Sequence, residues 1–231
     1  MRTVTLTDGE QFDAVYSDVL VPSFPPDELD SLDTFRRGLR AGDVLGTAVL
    51  GDDGRPLAAM VGEWSPDSRV LLLSYLAVAD GSRRLGIGGP LYETVLGRWR
   101  TEFAPCLILA EIEHPDGHES SPAYGDPAAR LRFYGRHGAS ILRLPYFQPA
   151  LRAGGSRVYG MLLLALHVDP SYGDAHAVDA GALRAFLTGY WEVEGGVGDD
   201  PATVALFSGL DVGAVPLLPT YRYAEVPVSV G

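Results

Sequence analysis

The sequence has a single cysteine, an excess of acidic over basic residues and no long apolar run, and each feature excludes a class of protein. With Cys106 alone among 231 residues, an internal disulfide framework and a multi-cysteine metal site are excluded. No apolar run approaches the ~20 residues that a membrane helix requires, and the first residues lack the apolar core of a signal peptide. We therefore expect a soluble, cytoplasmic protein without a membrane partner.

Charge and composition narrow the function further. Arginine and lysine number 18 against 30 aspartates and glutamates, which gives a net charge of −12. Such an acidic chain lacks the basic footprint of a nucleic-acid-binding protein, and it is compatible with a cationic or neutral small substrate. Glycine (28) and proline (17) are too few for low-complexity disorder, and 46% hydrophobic residues are typical of a globular protein.

The spacing of apolar and turn residues predicts an α+β protein with a mixed, mostly antiparallel central sheet flanked by helices. Helices are expected at residues 11–21 and 27–42, before strands at 44–50, 57–64 and 70–78 that short turns connect. A strand at 106–113, a helix at 126–138 and strands at 140–151 and 158–168 follow. These elements predict a domain over residues 1–168.

Residues 169–231 have a different pattern and are predicted to form a C-terminal extension. A helix is expected at about 175–193, because one helical stripe collects five apolar and aromatic residues, Leu183, Phe186, Leu187, Tyr190 and Trp191. The remainder reads as irregular. The extension either covers the core of its own chain or takes part in a homodimer.

The turn at residues 81–89 lies between a strand and a helix and carries glycines and two arginines. Its glycines let the backbone approach a ligand, and the helix N-terminus presents unpaired N–H groups to an anion. Arg83 and Arg84 could add charge-assisted contacts. The turn lacks the Lys-Ser/Thr of a nucleotide P-loop, and Leu91 replaces the third glycine of a dinucleotide fingerprint. It is either a binding site for a phosphate compound of another kind or an ordinary turn.

Residues 73–91 resemble the coenzyme-binding signature of the GNAT superfamily of acyl-coenzyme A-dependent N-acetyltransferases, Arg/Gln-x-x-Gly-x-Gly/Ala after a hydrophobic strand. Arg83, Gly86 and Gly88 match its fixed positions. The resemblance implies that the strand edge at Leu76, Ala77 and Val78 pairs with the pantetheine arm of coenzyme A. It also implies that the pyrophosphate is held by the backbone amides of Leu85, Gly86, Ile87, Gly88 and Gly89.

Residues 129–139 resemble a later element of the same family, a Phe-Tyr followed by arginine and then glycine. Phe133, Tyr134, Arg136 and Gly138 fit this pattern, whereas Ala139 replaces the usual aromatic residue. The two motifs stand in the expected order and cover about residues 44–168. Together they imply an acetyltransferase that uses acetyl-CoA as its acyl donor and no metal.

Acyl transfer from a thioester to an amine requires an acid for the departing thiolate and a donor for the oxyanion. The resemblance places the acid at Tyr134, since a tyrosine phenol is protonated at neutral pH. It places the oxyanion donor at a backbone N–H near Leu76 or Ala77. The alternative for Tyr134 is packing in the core, as is usual for aromatic residues on helices.

The base that deprotonates the amine is less clearly marked, because Tyr75 stands where many relatives carry a glutamate. Glu111 and Glu113 lie at the end of an apolar strand, where partial burial would favour uptake of a proton. We expect Glu111, as the deeper of the two, to be the base or the anchor of a cationic amine. Glu63 with a water relay, or glutamates that merely face solvent, are the alternatives.

Other reactive residues have structural explanations. Residues 114–119 place His114, Asp116, His118 and Glu119 together, but glycine and proline in this stretch favour a polar loop over a metal site. This loop and residues 23–28 are expected to border the acceptor site. Cys106 at the start of an apolar strand is expected to be a buried, inert thiol.

The expected function is therefore transfer of an acetyl group from the coenzyme A thioester to an amine of a small molecule, by direct attack in a ternary complex. A catalytically silent module that binds acyl-CoA and regulates a partner is the alternative, because the glutamate expected at Tyr75 is missing. The acceptor, the acyl length and the oligomeric state stay open.

Overall fold

The computed structural model describes residues 1–121, 124–152 and 154–231 and divides into two compact units. The first unit comprises residues 1–64 and 72–104, and the second comprises residues 65–71 and 105–231. Within the described residues, no helix combines the length and the apolar character needed to cross a membrane.

The first unit contains the glycine-rich turn at residues 81–89 and most of the chain that precedes it. Its strands are β1 (Arg2–Leu6), β2 (Val44–Leu50), β3 (Pro56–Ser65) and most of β4 (Val70–Val78). Its helices are α1 (Glu10–Val15), which continues as a π-helical turn over Tyr16–Leu20, α2 (Leu32–Ala41), a 3-10 helix over Asp80–Leu85, and α3 (Gly88–Glu102).

These strands lie in the order β1-β2-β3-β4, and the pairings of β2 with β1 and with β3 are antiparallel. Helices α1 and α2 contribute Phe12, Val15 and Phe35 to a buried core shared with Val61 of β3. Helix α2 begins later than residue 27, because the Ser31 side chain accepts the Thr34 N–H and so caps its N-terminus. The predicted start was therefore wrong by about one turn.

The second unit holds the rest of the chain. Its strands are β5 (Leu107–Glu113), β6 (Ser140–Leu142), β7 (Met161–Val168), β8 (Ala177–Asp179) and β9 (Ala214–Pro219). Its helices are α4 (Pro127–Arg136), α5 (Ala180–Tyr190), α6 (Pro201–Ser208) and 3-10 helices over Trp191–Glu194 and Thr220–Glu225.

The strands of the second unit lie in the order β5-β7-β6-β9-β8, with antiparallel pairings throughout. In the register of β5 and β7, Glu111 lies opposite Leu163 and Glu113 opposite Met161. The first four residues of β5 are completely buried, as predicted for a strand covered on both faces.

The predicted strand over 140–151 was wrong, since β6 ends at Leu142. The segment beyond it includes Pro145 and Pro149, which supply no backbone N–H to a strand ladder. It keeps one isolated bridge between Gln148 and Val158, and β7 begins only at Met161. This irregular segment matters for the site described next.

The chain beyond residue 168 is more regular than predicted, because it forms α6 and the strands β8 and β9. Strand β9 pairs with β6 in the second unit, with Leu218 opposite Ile141. The division of the chain into domains at residue 168 stays a prediction.

Candidate active site

The turn that follows β4 contains two glycines at positions where a side chain would be unfavourable. The 3-10 helix over Asp80–Leu85 ends at Gly86, whose φ of 66° lies in the left-handed region. Gly88 begins α3, and a Cβ built on it would lie 3.2 Å from Cγ2 of Val78. Glycine therefore permits both the reversal of the chain and its close approach to β4.

The backbone N–H groups at the end of this turn, from Gly86 to Gly89, are available to a ligand. Among the contacts of the described residues, none involves the amides from Gly86 to Gly89. Helix α3 has no side-chain cap, and its first bond runs from the N–H of Leu91 to the carbonyl of Ile87. Unpaired amides at the positive end of a 15-residue helix form an anion-binding corner.

The two arginines of the turn differ in their surroundings. Arg83 lies with its Nε 3.8 Å from Asp80 Oδ1, and its side chain is half-exposed. Arg84 and Leu85 are exposed. Both guanidinium groups are thus accessible from solvent, although Asp80 offsets part of the charge of Arg83.

Strand β4 leads into this turn with alternating burial, since Ala77 is buried and Leu76 and Val78 are partly exposed. Tyr75, at the position of the glutamate expected from the resemblance, points into the core. Its hydroxyl donates to Asp30 Oδ2 (3.2 Å) and accepts the Asp30 backbone N–H (3.1 Å). Tyr75 therefore holds the segment before α2 in place. Its hydroxyl does not replace the carboxylate of the missing glutamate.

Glu63, the alternative base on β3, is partly exposed and accepts a hydrogen bond of 2.7 Å from the Ser74 hydroxyl. This contact links the carboxylate to β4 within the first unit. Glu63 therefore stays an alternative candidate for the base that deprotonates the amine.

Helix α4 of the second unit carries Tyr134. The helix starts as predicted, with the Asp126 side chain accepting the Ala128 N–H and Pro127 in the first turn, and Gly138 closes it at φ 84°. Tyr134 is 5% exposed, and its ring lies edge-on to Phe133 at 5.3 Å. This burial fits the alternative that Tyr134 packs in the core. The role of its phenol as an acid stays a prediction.

The two glutamates of β5 differ in burial and in partners. Glu113 is the more buried at 8% exposure, so the expectation that Glu111 lies deeper was wrong. Glu113 can be buried because Arg130 Nη1 lies 2.7 Å from its carboxylate, and His118 Nδ1 lies 3.8 Å away. Glu113 therefore belongs to an ion pair that fixes β5 to α4.

Uncharged side chains donate hydrogen bonds to Glu111. Gln148 Nε2 donates to it at 3.0 Å and the Tyr190 hydroxyl at 3.3 Å, and the Tyr146 hydroxyl also donates to it. Burial, and next the charge of Glu111 with its hydrogen bond, raise the pKa of Tyr146 well above its usual value. Tyr146 is thus a donor to the carboxylate at all physiological pH values.

Sequence reasoning missed Tyr146, Gln148 and Tyr190, which the fold brings to Glu111. Tyr146 follows Pro145 and Gln148 precedes Pro149 in the irregular segment after β6, and Tyr190 ends α5. No motif marks them. The available signal was an unusual one, polar and aromatic residues between Pro145 and Pro149 in a stretch otherwise read as a strand.

The histidines of the 114–119 loop are bound within the protein. His114 Nδ1 accepts the Asp116 N–H at 3.1 Å, and His118 Nε2 lies 2.9 Å from the Tyr159 carbonyl oxygen. Within the described part of the chain, no three His, Cys, Asp or Glu side chains converge as metal ligands would. Cys106 is buried, as expected, and it forms no disulfide bond within the described residues.

Comparison with known proteins gives matches in structure only. No family model matches the sequence, and no curated protein matches it. A proposed GNAT-family acetyltransferase from Bacteroides thetaiotaomicron is 22% identical, with 83% of this chain and 96% of that chain covered and a TM-score of 0.58. A proposed acetyltransferase from Acinetobacter baylyi is 12% identical, with 75% and 97% covered and a TM-score of 0.52.

A GNAT-family acetyltransferase from Elizabethkingia anophelis, solved with acetyl-CoA bound, is 16% identical, with 72% and 97% covered and a TM-score of 0.49. The match to the Bacteroides thetaiotaomicron protein covers 96% of that chain, so the comparison includes nearly all of its fold. It confirms the predicted α+β class with a mostly antiparallel sheet flanked by helices. The chain has the fold of the GNAT acetyltransferases.

Proposed function

We propose that this protein is an acyltransferase that moves an acetyl group from acetyl-CoA to a primary amine. One observation carries the proposal, namely the unbonded amides from Gly86 to Gly89 at the start of α3, directly after β4. They can bind the pyrophosphate of coenzyme A without any rearrangement of the protein's own hydrogen bonds.

The coenzyme fits the residues at hand. The amides from Leu85 to Gly89 would hold the pyrophosphate, with Arg83 and Arg84 as mobile cations at its side. A Cβ at Gly88 would lie 3.2 Å from Val78 Cγ2, so glycine at this position lets the start of α3 lie close to β4. The edge of β4 at Leu76, Ala77 and Val78 would pair with the amides of the pantetheine arm.

In the proposed reaction, the ammonium group of the acceptor first loses a proton, with Glu111 as its base or anchor. The amine nitrogen attacks the thioester carbon, and a backbone N–H near Leu76 or Ala77 stabilises the oxyanion. The C–S bond then breaks, the thiolate takes a proton from the Tyr134 phenol, and the phenolate recovers a proton from the attacking nitrogen. The products are the N-acetyl compound and coenzyme A, and one proton passes to solvent.

Two measurements test the proposal. Calorimetric titration with coenzyme A should show binding, and a thiol reagent should report thioester cleavage when a panel of amines is added. All 18 basic residues are arginine, so no lysine amine of the chain competes with the panel. Absence of coenzyme A binding at millimolar concentration would refute the proposal.

Replacing the acid provides a sharper test of the mechanism. Tyr134→Phe should lower turnover by about 100-fold or more, while the affinity for acetyl-CoA stays within about twofold. Tyr92→Phe is the matched control, since Tyr92 is a buried tyrosine on α3 outside the proposed machinery. Turnover like that of the unmodified protein would remove Tyr134 from the role of acid.

A second candidate is a silent module that binds acyl-CoA and regulates a partner. It is favoured by Tyr75, whose hydroxyl is engaged with Asp30 where a catalytic glutamate is expected. Coenzyme A binding without thioester cleavage on any amine of the panel would support this candidate. Cleavage with even one amine would exclude it.

A further inference from the structure

An ion pair between Glu113 and Arg130 joins β5 to α4, and these two elements carry the base and the acid of the proposed reaction. We propose that both ion-paired residues are positioning residues, which hold Tyr134 in place relative to Glu111. This inference rests on the proposed acetyl transfer and adds two residues that support its acid. All four residues belong to the second unit.

Helix α4 runs back along β5, because it connects two parallel strands. Strand β7 pairs antiparallel with both β5 and β6, so β5 and β6 point in the same direction. A helix that connects two parallel strands of one sheet returns antiparallel to the first of them. The step from Glu113 back to Glu111 on the strand and the step from Arg130 on to Tyr134 on the helix therefore have the same direction.

The base and the acid each lie one short step from the ion pair. Glu111 precedes Glu113 by two residues on β5, so the two side chains share a face of the sheet at a spacing of about 7 Å. Tyr134 follows Arg130 by four residues on α4, which places it on the same helix face and about 6 Å further along the axis. A shift or rotation of α4 on β5 would therefore move the acid relative to the base.

The guanidinium group of Arg130 restrains α4 in two directions. Its Nη1 lies 2.7 Å from Glu113 Oε2, and its Nη2 donates to the Tyr124 carbonyl oxygen at 2.8 Å. The planar guanidinium presents its donors in a rigid fork, so the two contacts fix its orientation. The other carboxylate oxygen of Glu113 lies 3.8 Å from His118 Nδ1. Because its acceptors lie at the end of β5 and in the chain before α4, Arg130 restrains both the shift and the rotation of the helix.

The burial of this pair favours a role in geometry over a role in stability. The side chains of Arg130 and Glu113 are 28% and 11% exposed. Removing two charges from water offsets most of their attraction, so a buried ion pair adds little stability compared with apolar side chains of similar size. Apolar contacts have no preferred direction, whereas the charged hydrogen bonds of a guanidinium do. We therefore expect the pair to set the orientation of α4.

The test replaces both charges together in the full chain, because removal of one partner would leave a buried unpaired charge and could unfold the protein. In the double variant Glu113→Met, Arg130→Met, we expect kcat to fall about 10- to 100-fold, because the acid is misplaced. The KM for acetyl-CoA should stay within about twofold, and the midpoint of urea unfolding should stay close to that of the unmodified protein. The acceptors are 2-phenylethylamine, hexylamine and spermidine.

Two single variants accompany the double variant. Arg132→Met is the matched control, since Arg132 lies on the same helix in an exposed ion pair, 3.4 Å from Asp126, and its loss should leave turnover and stability unchanged. Arg130→Lys keeps the charge but not the fork of directed donors, so kcat should fall by a smaller factor of about 3- to 10-fold. This variant supplies the test if the double variant does not fold.

A second background shows whether the ion pair acts through Tyr134. If it does, its replacement should lower kcat in the unmodified protein and cause no further loss, within about twofold, in a Tyr134→Phe protein. A general weakening of the fold would instead lower kcat by the same factor in both backgrounds. The comparison therefore separates a positioning role from a merely structural one.

An NMR signal follows Tyr134 independently of turnover. With ¹³C at the Cζ atom of tyrosine, the signal of Tyr134 is the one that Tyr134→Phe removes. We expect this signal to move in the double variant and to keep its position in Arg132→Met. An unchanged signal in the double variant would overturn the inference, whether or not the protein cleaves the thioester.

The results separate this inference from the proposed function. Equal losses of kcat in the two backgrounds would overturn the positioning role, and acetyl transfer would stand. Turnover of the double variant like that of the unmodified protein would have the same meaning. If coenzyme A does not bind but the Tyr134 signal moves as expected, the acetyltransferase proposal fails, and the ion pair still holds Tyr134 in place.

Discussion

Replacing Gly86 should weaken coenzyme A binding through backbone conformation alone. Gly86 has a φ of 66°, and a Cβ built on it meets no atom within 4 Å, so an alanine there costs conformational energy but causes no clash. The left-handed conformation costs a residue with a Cβ about 1–2 kcal/mol.

Because the amides from Gly86 to Gly89 make no hydrogen bonds with the described residues, we expect the turn of the variant to relax when coenzyme A is absent and so to avoid this cost. Binding the pyrophosphate would restore the left-handed conformation, and the cost would then appear in the affinity. At about 1.4 kcal/mol per tenfold, Gly86→Ala should bind coenzyme A about 5- to 30-fold more weakly.

Two variants make the comparison specific. Gly81→Ala, in the same turn, also adds a Cβ in open space but at a glycine without positive φ, so its affinity should be unchanged. Gly86→Asn should fall between the two, since asparagine tolerates the left-handed region better than alanine. Titration calorimetry at 25 °C decides the matter. Equal affinities for Gly86→Ala and Gly81→Ala would refute the reasoning.

Three further predictions concern stability. Gly135→Ala would place a Cβ on Thr220 Oγ1 and should lower the free energy of unfolding by about 1–3 kcal/mol, and Thr220→Ala should recover part of the loss in urea titrations. Tyr75→Phe should lower the free energy of unfolding by about 1–3 kcal/mol, because Asp30 loses its two hydrogen bonds with the Tyr75 hydroxyl, while coenzyme A affinity should not change. Burial alone would raise the Asp200 pKa, but bonds from Arg157 and Thr203 overcome it and lower the pKa from 3.8 to about 2. This depressed folded-state pKa makes the stabilisation by Asp200 complete above about pH 4 and lost as the pH falls towards about 2. The stability difference from Asp200→Asn should therefore shrink over that interval, and a constant difference would contradict the assignment.

Local signals predicted much of the fold because they act over a few residues. The pair Asp126-Pro127 located the start of α4 through one side-chain bond and one fixed φ. The same pair recurs at Asp200-Pro201, where it caps α6, yet that helix was overlooked in a tail read as irregular. The Asp-Pro pair was sufficient to predict the start of α6, but its second occurrence was not recognised.

Strand β9 could not have been predicted in this way. It contains Pro216 and ends at Pro219, and prolines argue against a strand within a sheet. The strand forms because its neighbours β6 and β8 supply pairing partners from distant parts of the chain. Tertiary contacts of this kind are not visible in a local pattern.

The candidate site divides in the same manner. The glycines of the turn are visible in the sequence, because the backbone φ and the close approach of the turn to β4 depend on one residue and its neighbours. The partners of Glu111 lie 35, 37 and 79 residues away in sequence, and no local pattern connects them. The glycine turn could therefore be predicted from the sequence, and the partners of Glu111 could not.

The two glutamates of β5 show why burial alone does not identify a functional carboxylate. Glu113 is the deeper, and its charge is met by Arg130 at 2.7 Å, so a cationic ligand would have to compete with a guanidinium. Glu111 is more exposed, and hydroxyl and amide groups donate hydrogen bonds to its carboxylate. A deep, ion-paired carboxylate is suited to a contact between a helix and a strand. The partners of each carboxylate, rather than its depth, therefore distinguish the two: Glu113 fixes β5 to α4, and Glu111 keeps its proposed role as the base or the anchor of the amine.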